Sequence, residues 1–128
     1  MIYIETKIKT SDNSGAVLVK CVNFKSAKCR YASLNSIISV VIRRRYNPAV
    51  IKKKRYLGLV VSVKKKVCRA DGSFIRFEEN RIVLFSTKFK LLSTKLKGTL
   101  CNEVKWRLVN LKERDNYKQL IPRAPYLT

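Results

Sequence analysis

The sequence predicts a mainly β protein whose short strands close into a small barrel and are followed by a short helical tail. Three observations carry this. Apolar runs rich in β-branched residues recur at 37–42 and 57–63, and both are far shorter than the ~18 residues a bilayer span needs. Turn-forming residues punctuate the chain, most clearly Asp12-Asn13-Ser14-Gly15 and Asp71-Gly72. The spacing changes only after Asn102, where Val104, Leu108 and Leu111 mark one face of a helix. Five or six short strands cannot leave their edges bare, so closure into a barrel is expected.

The elements follow in order. The first residues alternate like a strand, with no sign of a cleavable presequence. The turn at 12–15 leads into a strand with Val17, Val19 and Cys21 on one face and Leu18, Lys20 and Val22 on the other. Residues 23–36 are polar and basic and read as a loop. A strand over 37–45 ends in Arg43-Arg44-Arg45 and is broken by Tyr46-Asn47-Pro48. Lys52 to Arg55 form a basic turn, and a long strand runs from Tyr56 to about Lys66. Asp71-Gly72 closes a hairpin between Val67 and Arg69 on one side and Phe74 and Arg76 on the other. Glu78-Glu79-Asn80 makes a tight turn, and 81–85 a short strand. A lysine-rich loop reaches Gly98. Asn102 is placed to cap the helical tail, and Pro122 and Pro125 keep its end extended. With 128 residues the chain has room for one domain, 1–128. Residues 1–100 form the barrel and its basic loops; 101–128 form short helices and an extended tail.

Charge dominates the composition. Lys and Arg number 29 against 8 Asp and Glu, with no His, for a net charge of +21. Hydrophobic residues make up 46%, enough for a core, but the surface repels itself unless a polyanion neutralises it. Without His, the commonest general base is missing. Ser14 lies in a turn without a base, Glu78 and Glu79 are adjacent and point to opposite faces, and four glycines form no phosphate loop. The chain reads as no enzyme, with no catalytic residue. Cys21, Cys29, Cys68 and Cys101 contain no Cys-x-x-Cys pair; the spacings argue against zinc or a disulfide framework and for buried or half-buried thiols. No metal, cofactor or membrane partner is expected.

Four basic clusters stand at strand ends or in loops: Arg43 to Arg45, Lys52 to Arg55, Lys64 to Lys66 with Arg69, and Lys88 to Lys97. One alone would be ordinary solvated surface. Four, with few acidic neighbours, point to phosphate binding. Tyr31, Tyr46, Tyr56, Phe74 and Phe77 lie near them as possible stacking partners for bases, with at most one of Phe74 and Phe77 free of the core.

The residues resemble the universal large-subunit ribosomal protein L-fourteen family. Met1-Ile2, Thr6, Asp12-Asn13-Ser14-Gly15-Ala16, Cys21 and Arg30-Tyr31-Ala32 are similar to that family's beginning. The most specific match is Gly58-Leu59-Val60-Val61, then Asp71-Gly72-Ser73-Phe74-Ile75-Arg76-Phe77, Asn80 and Val83-Leu84. The likeness runs to about residue 104 and resumes weakly over 122–127. Asn35-Ser36 and Lys53-Lys54 stand where the family usually has Gly-Asp, 94–99 departs from its Thr-Arg-Ile-Phe-Gly-Pro segment, and residues around 110–117 are extra.

The resemblance implies a five-stranded antiparallel β-barrel with a protruding hairpin and a short C-terminal helical lobe. It implies a structural constituent of the large ribosomal subunit. Such a protein binds large-subunit rRNA at the intersubunit face, supports bridges to small-subunit rRNA and neighbours ribosomal protein L-nineteen. A ribosome-silencing factor docks on the same face in some members. The residues assigned to rRNA are Asn13, Ser14, Lys28, Arg30, Arg43, Arg44, Arg45, Lys52, Lys53, Lys64, Lys65, Lys66, Arg69, Arg76, Lys95 and Lys97. The alternative function is a free-standing OB-like module gripping single-stranded nucleic acid. Phe, Tyr, Met, Ile, Asn and Lys outnumber Gly, Ala, Arg and Pro two to one, a bias toward A/T-rich codons. With the family departures, this favours an organelle-encoded mitochondrial protein over a plastid one or one of the bacterial cytoplasm.

Overall fold

The computed structural model describes residues 2–24, 30–48, 54–87, 92, 96–101, 103–104 and 126–127. Nine strands occur among them: β1 (Lys7–Thr10), β2 (Ala16–Phe24), β3 (Ile37–Arg45), β4 (Arg55–Ser62), β5 (Val67–Cys68), β6 (Phe74–Ile75), β7 (Arg81–Phe85), β8 (Thr99–Leu100) and β9 (Tyr126–Leu127). Five close into the barrel in the order β1-β2-β3-β4-β7. The mainly β, five-stranded barrel is therefore the observed fold. Its closure adds one feature to the antiparallel expectation: β1 and β7 pair in parallel, Lys9 beside Arg81 and Thr10 beside Ile82. Five strands cannot alternate in direction all the way round a ring, so one parallel pair is unavoidable.

The interior is filled by alternate residues of each strand. Ile8, Val19, Cys21, Ile38, Val40, Ile42, Tyr56, Val60, Ile82 and Leu84 are all buried in one cluster. Gly58 belongs to this inward row, paired with Leu84 across to β7. A Cβ on Gly58 would come within 2.8 Å of Ile82 Cδ1, so the Ile82 side chain occupies the space that glycine leaves.

A second cluster lies outside the barrel. Leu59, Val61, Val83 and Phe85, the outward residues of β4 and β7, are buried against Leu96, Leu100, Cys101 and Val104. Ile75 and Phe77 pack on the same cluster. Burial on both faces is why 57–63 reads as one apolar run rather than an alternation. It also revises the hairpin. Its root lies over the barrel wall, while its tip, Ala70 to Phe74, is exposed.

Several boundaries shift. The N-terminus is not a strand throughout: Ile2 bridges Ala32, and residues 3–6 turn before β1 begins. Val17 does not share the inward face with Val19 and Cys21. Register shifts between Ala16, Leu18 and Val19 mark a bulge, which turns Val17 to solvent at 38% exposure. The strand after the basic turn stops at Ser62, where Asn80 Oδ1 accepts the Lys64 amide at 2.9 Å. Phe24 extends β2 into the stretch read as a loop. Glu103 and Val104 are helical; the rest of the expected helical lobe lies outside the described residues. Two-residue strands β8 and β9 pair in parallel. Among the described residues no helix is long and apolar enough to cross a membrane.

Candidate nucleic-acid interface

Strand register sorts the basic residues between the barrel's two ends. At one end, Arg45 lies beside Ala16 and Arg44 beside Leu18. The Gly15 carbonyl accepts the amides of Tyr46 at 2.9 Å and Asn47 at 3.3 Å. The 12–15 turn therefore sits against the end of β3, and exposed Asn13 joins exposed Arg43, Arg44 and Arg45. Lys54 and Arg55, exposed at the start of β4, extend this end. They were not among the assigned residues, although they continue the Lys52-Lys53 run. Ser14 takes a different part. It is buried, and its hydroxyl donates to Asp12 Oδ1 at 2.7 Å, so it shapes the turn instead of facing solvent.

At the other end, Lys64, Lys65 and Lys66 are exposed as the chain leaves β4. Lys65 Nζ lies 6.0 Å from the Tyr31 ring centroid and Lys66 Nζ 4.2 Å from that of Phe74. The hairpin turn is built by Asp71. Its carboxylate accepts the Ser73 hydroxyl at 2.6 Å and amide at 3.0 Å, bonds that hold its pKa below the ordinary value. Gly72 takes the left-handed φ of 88° that the turn needs. Arg76 is exposed beside the hairpin. Arg69 is not: its side chain is 21% exposed and its Nε lies 3.5 Å from Glu103 Oε1. It ties the hairpin to the segment covering β4 and β7.

Arg76, Arg81 and Lys97 share a cleft of about 580 Å³ with Ser62, Phe77, Glu78, Glu79 and Gly98. The 96–98 segment is held there by Ser11, whose carbonyl accepts the Lys97 amide at 2.6 Å. Glu79 bridges Lys9 and Arg81, each at 2.8 Å. The Lys9 hydrogen bond is the main reason its carboxyl stays below the usual value. Arg30 is exposed next to Tyr31. Lys28, Lys52, Lys53 and Lys95 lie outside the described residues.

The aromatics divide by burial. Tyr56 is 5% exposed and Phe77 packs on the outer cluster, whereas Tyr31, Tyr46 and Phe74 are 46%, 59% and 57% exposed. Only Phe74 of the 74/77 pair is thus on the surface. Tyr3, which the strand reading of the N-terminus gave no reason to single out, is 51% exposed beside Tyr31. Cys21 and Cys101 are buried and Cys68 is exposed. Among the described residues, no three Cys, Asp or Glu side chains converge as a metal site requires.

The arrangement is a barrel with cations displayed at both ends and no constellation for bond-making chemistry among the described residues. The family model for ribosomal protein L14p/L23e matches residues 1–113. The chain belongs to that family. A curated relative from Carsonella ruddii (strain PV), the "Large ribosomal subunit protein uL14", is 32% identical over 107 residues, covering 82% of this chain and 88% of the relative. Family membership makes the chain a structural constituent of the large ribosomal subunit and not an enzyme.

Proposed function

We propose that the protein binds large-subunit rRNA at the intersubunit face and supports bridges to the small-subunit rRNA. The observation that carries this is the pairing of charges. Among the described residues, ion pairs engage Lys9, Lys20, Arg69 and Arg81. Arg43, Arg44 and Lys64 to Lys66 stand exposed at opposite ends, and among the described residues no ion pair engages them. Two separated cationic ends on a rigid barrel suit a folded RNA that is touched at several places, where phosphate contacts position the protein and shape supplies specificity. Ribosomal protein L-nineteen as a neighbour, and a silencing factor on the exposed face, belong to this same reading.

The site of action proposed is the mitochondrial ribosome, on the A/T-type composition. The relative from a bacterium favours the second reading, a bacterial cytoplasmic ribosome. Sucrose-gradient fractionation with quantitative mass spectrometry tests the reading. One copy per large subunit, protected from release until high salt, supports it; sedimentation apart from the subunit overturns it. Which ribosome co-sediments, organellar or cytoplasmic, decides the location. The free-standing single-strand module is set aside because family membership points to a ribosomal constituent.

A further inference from the structure

We propose that Tyr31, backed by Tyr3 and flanked by Lys65, is a stacking site for one unpaired RNA nucleotide, an inference that rests on the rRNA-binding reading above. The backbone builds the site. Ile2 and Ala32 exchange amide–carbonyl hydrogen bonds of 2.9 and 2.7 Å, and both side chains are buried. In such an antiparallel bridge the flanking residues, Tyr3 and Tyr31, become cross-strand neighbours on the opposite face. Their ring centroids are 6.2 Å apart with planes inclined at 54°, and about half of each residue is exposed. Rings anchored by paired backbone lose little freedom when a base settles on them.

Next to Tyr31 lies a cleft of about 150 Å³, lined also by Ser33, Val63, Lys65, Lys66 and Val67. Val63 is buried and Val67 half-buried, giving an apolar floor, while both lysines are exposed at the rim. Lys65 stands 6.0 Å from the ring centroid. A flat apolar ring attached to an anionic phosphate has this same division of chemistry: the base lies on tyrosine and the phosphate meets lysine. The charge of +21 favours that occupant over an apolar protein side chain, which would leave the rim lysines uncompensated.

The test uses the full chain and two RNA hairpins with equal numbers of phosphates, one fully paired and one carrying a single unpaired nucleotide. Equal charge cancels the non-specific contribution. Wild type is expected to favour the unpaired form by roughly five- to one-hundred-fold. Tyr31→Leu should abolish that preference with affinity for the paired hairpin retained, and Tyr31→Phe should keep it. A second measurement needs no variant: 4-thiouridine at the unpaired position should cross-link to the peptide containing Tyr31, Tyr3 or Lys65. Equal binding of the two hairpins, or cross-links elsewhere, overturns the stacking site and leaves RNA binding standing. Failure to bind either hairpin overturns both.

Discussion

Leu84 donates its backbone amide to Asp12 Oδ2 at 2.9 Å, across 72 residues of chain. The other carboxylate oxygen takes the Ser14 hydroxyl at 2.7 Å and the Ser14 amide at 3.3 Å. Asp12 is 3% exposed. One buried side chain therefore shapes the β1–β2 turn and fastens it to β7. Asp12→Ala orphans a buried amide and frees the turn, and should cost about 3 kcal/mol or more. A fall in the urea midpoint at constant m checks it; a midpoint within the error of wild type would show that the contact is dispensable.

Gly58 and Ile82 form a size-matched pair inside the barrel. Gly58→Ala should cost about 1–3 kcal/mol by overpacking. Ile82→Val, which removes the Cδ1 lying 2.8 Å from the added Cβ, should cost about 0.5–1.5 kcal/mol alone. Together they should cost less than the sum of the two. Additive losses would mean that the two side chains do not compete for the same space.

Asn35 sits at φ 70°, in the left-handed region, where the family usually has glycine. Its amide donates to the Val60 carbonyl at 2.9 Å, so the conformation is held by β4. Its side-chain Oδ1 is buried and has no hydrogen-bond partner among the described residues. Asn35→Gly should therefore be neutral or stabilising by up to about 1 kcal/mol, while Asn35→Ala should lose about 1 kcal/mol. Thermal melts that rank Ala above Gly would contradict this.

Salt dependence separates the cations facing solvent from Arg69. If about six phosphates are neutralised, the slope of log affinity against log salt should be near −5 for duplex RNA and −4 for single strands. Replacing Lys64, Lys65 or Lys66 with Gln should flatten it by about 1 each. Arg69→Gln should leave the slope nearly unchanged and act on stability, because its guanidinium sits beside Glu103. An Arg69 variant that flattens the slope as a lysine variant does would place Arg69 on phosphate.

Burial pushes the Cys21 thiol from an ordinary 9.0 up to about 11, and raises that of Cys101. At pH 8 in the folded protein, a thiol reagent should modify exposed Cys68 and spare both, as peptide mapping would show. The folded state holds the Cys21 proton more tightly than the unfolded chain. Its contribution to stability is present in full below pH 9 and is lost as pH rises through about 11. Rapid labelling of Cys21 at pH 8 would mean that the barrel opens easily.

Local signals determined much of this protein. β3 and β7 begin and end at the residues their β-branched runs predict, Ile37–Arg45 and Arg81–Phe85. Asp71-Gly72 makes its hairpin turn because the Asp71 carboxylate and the freedom of Gly72 act within a few residues. The charge alone pointed to a polyanion, since no arrangement of 29 cations and 8 anions can neutralise itself. What depended on distant partners was not legible. The Val17 bulge is set by the mismatch between β2 and β3. Double-sided burial of β4 and β7 is set by the 96–104 segment, and the Arg69 pairing by Glu103. The parallel closure of β1 on β7 follows from counting strands round a ring. Tyr3 joins Tyr31 only through the Ile2–Ala32 bridge. Periodicity reports which face of one strand is apolar; it carries no record of which remote segment covers that face, and tertiary packing alone supplies it.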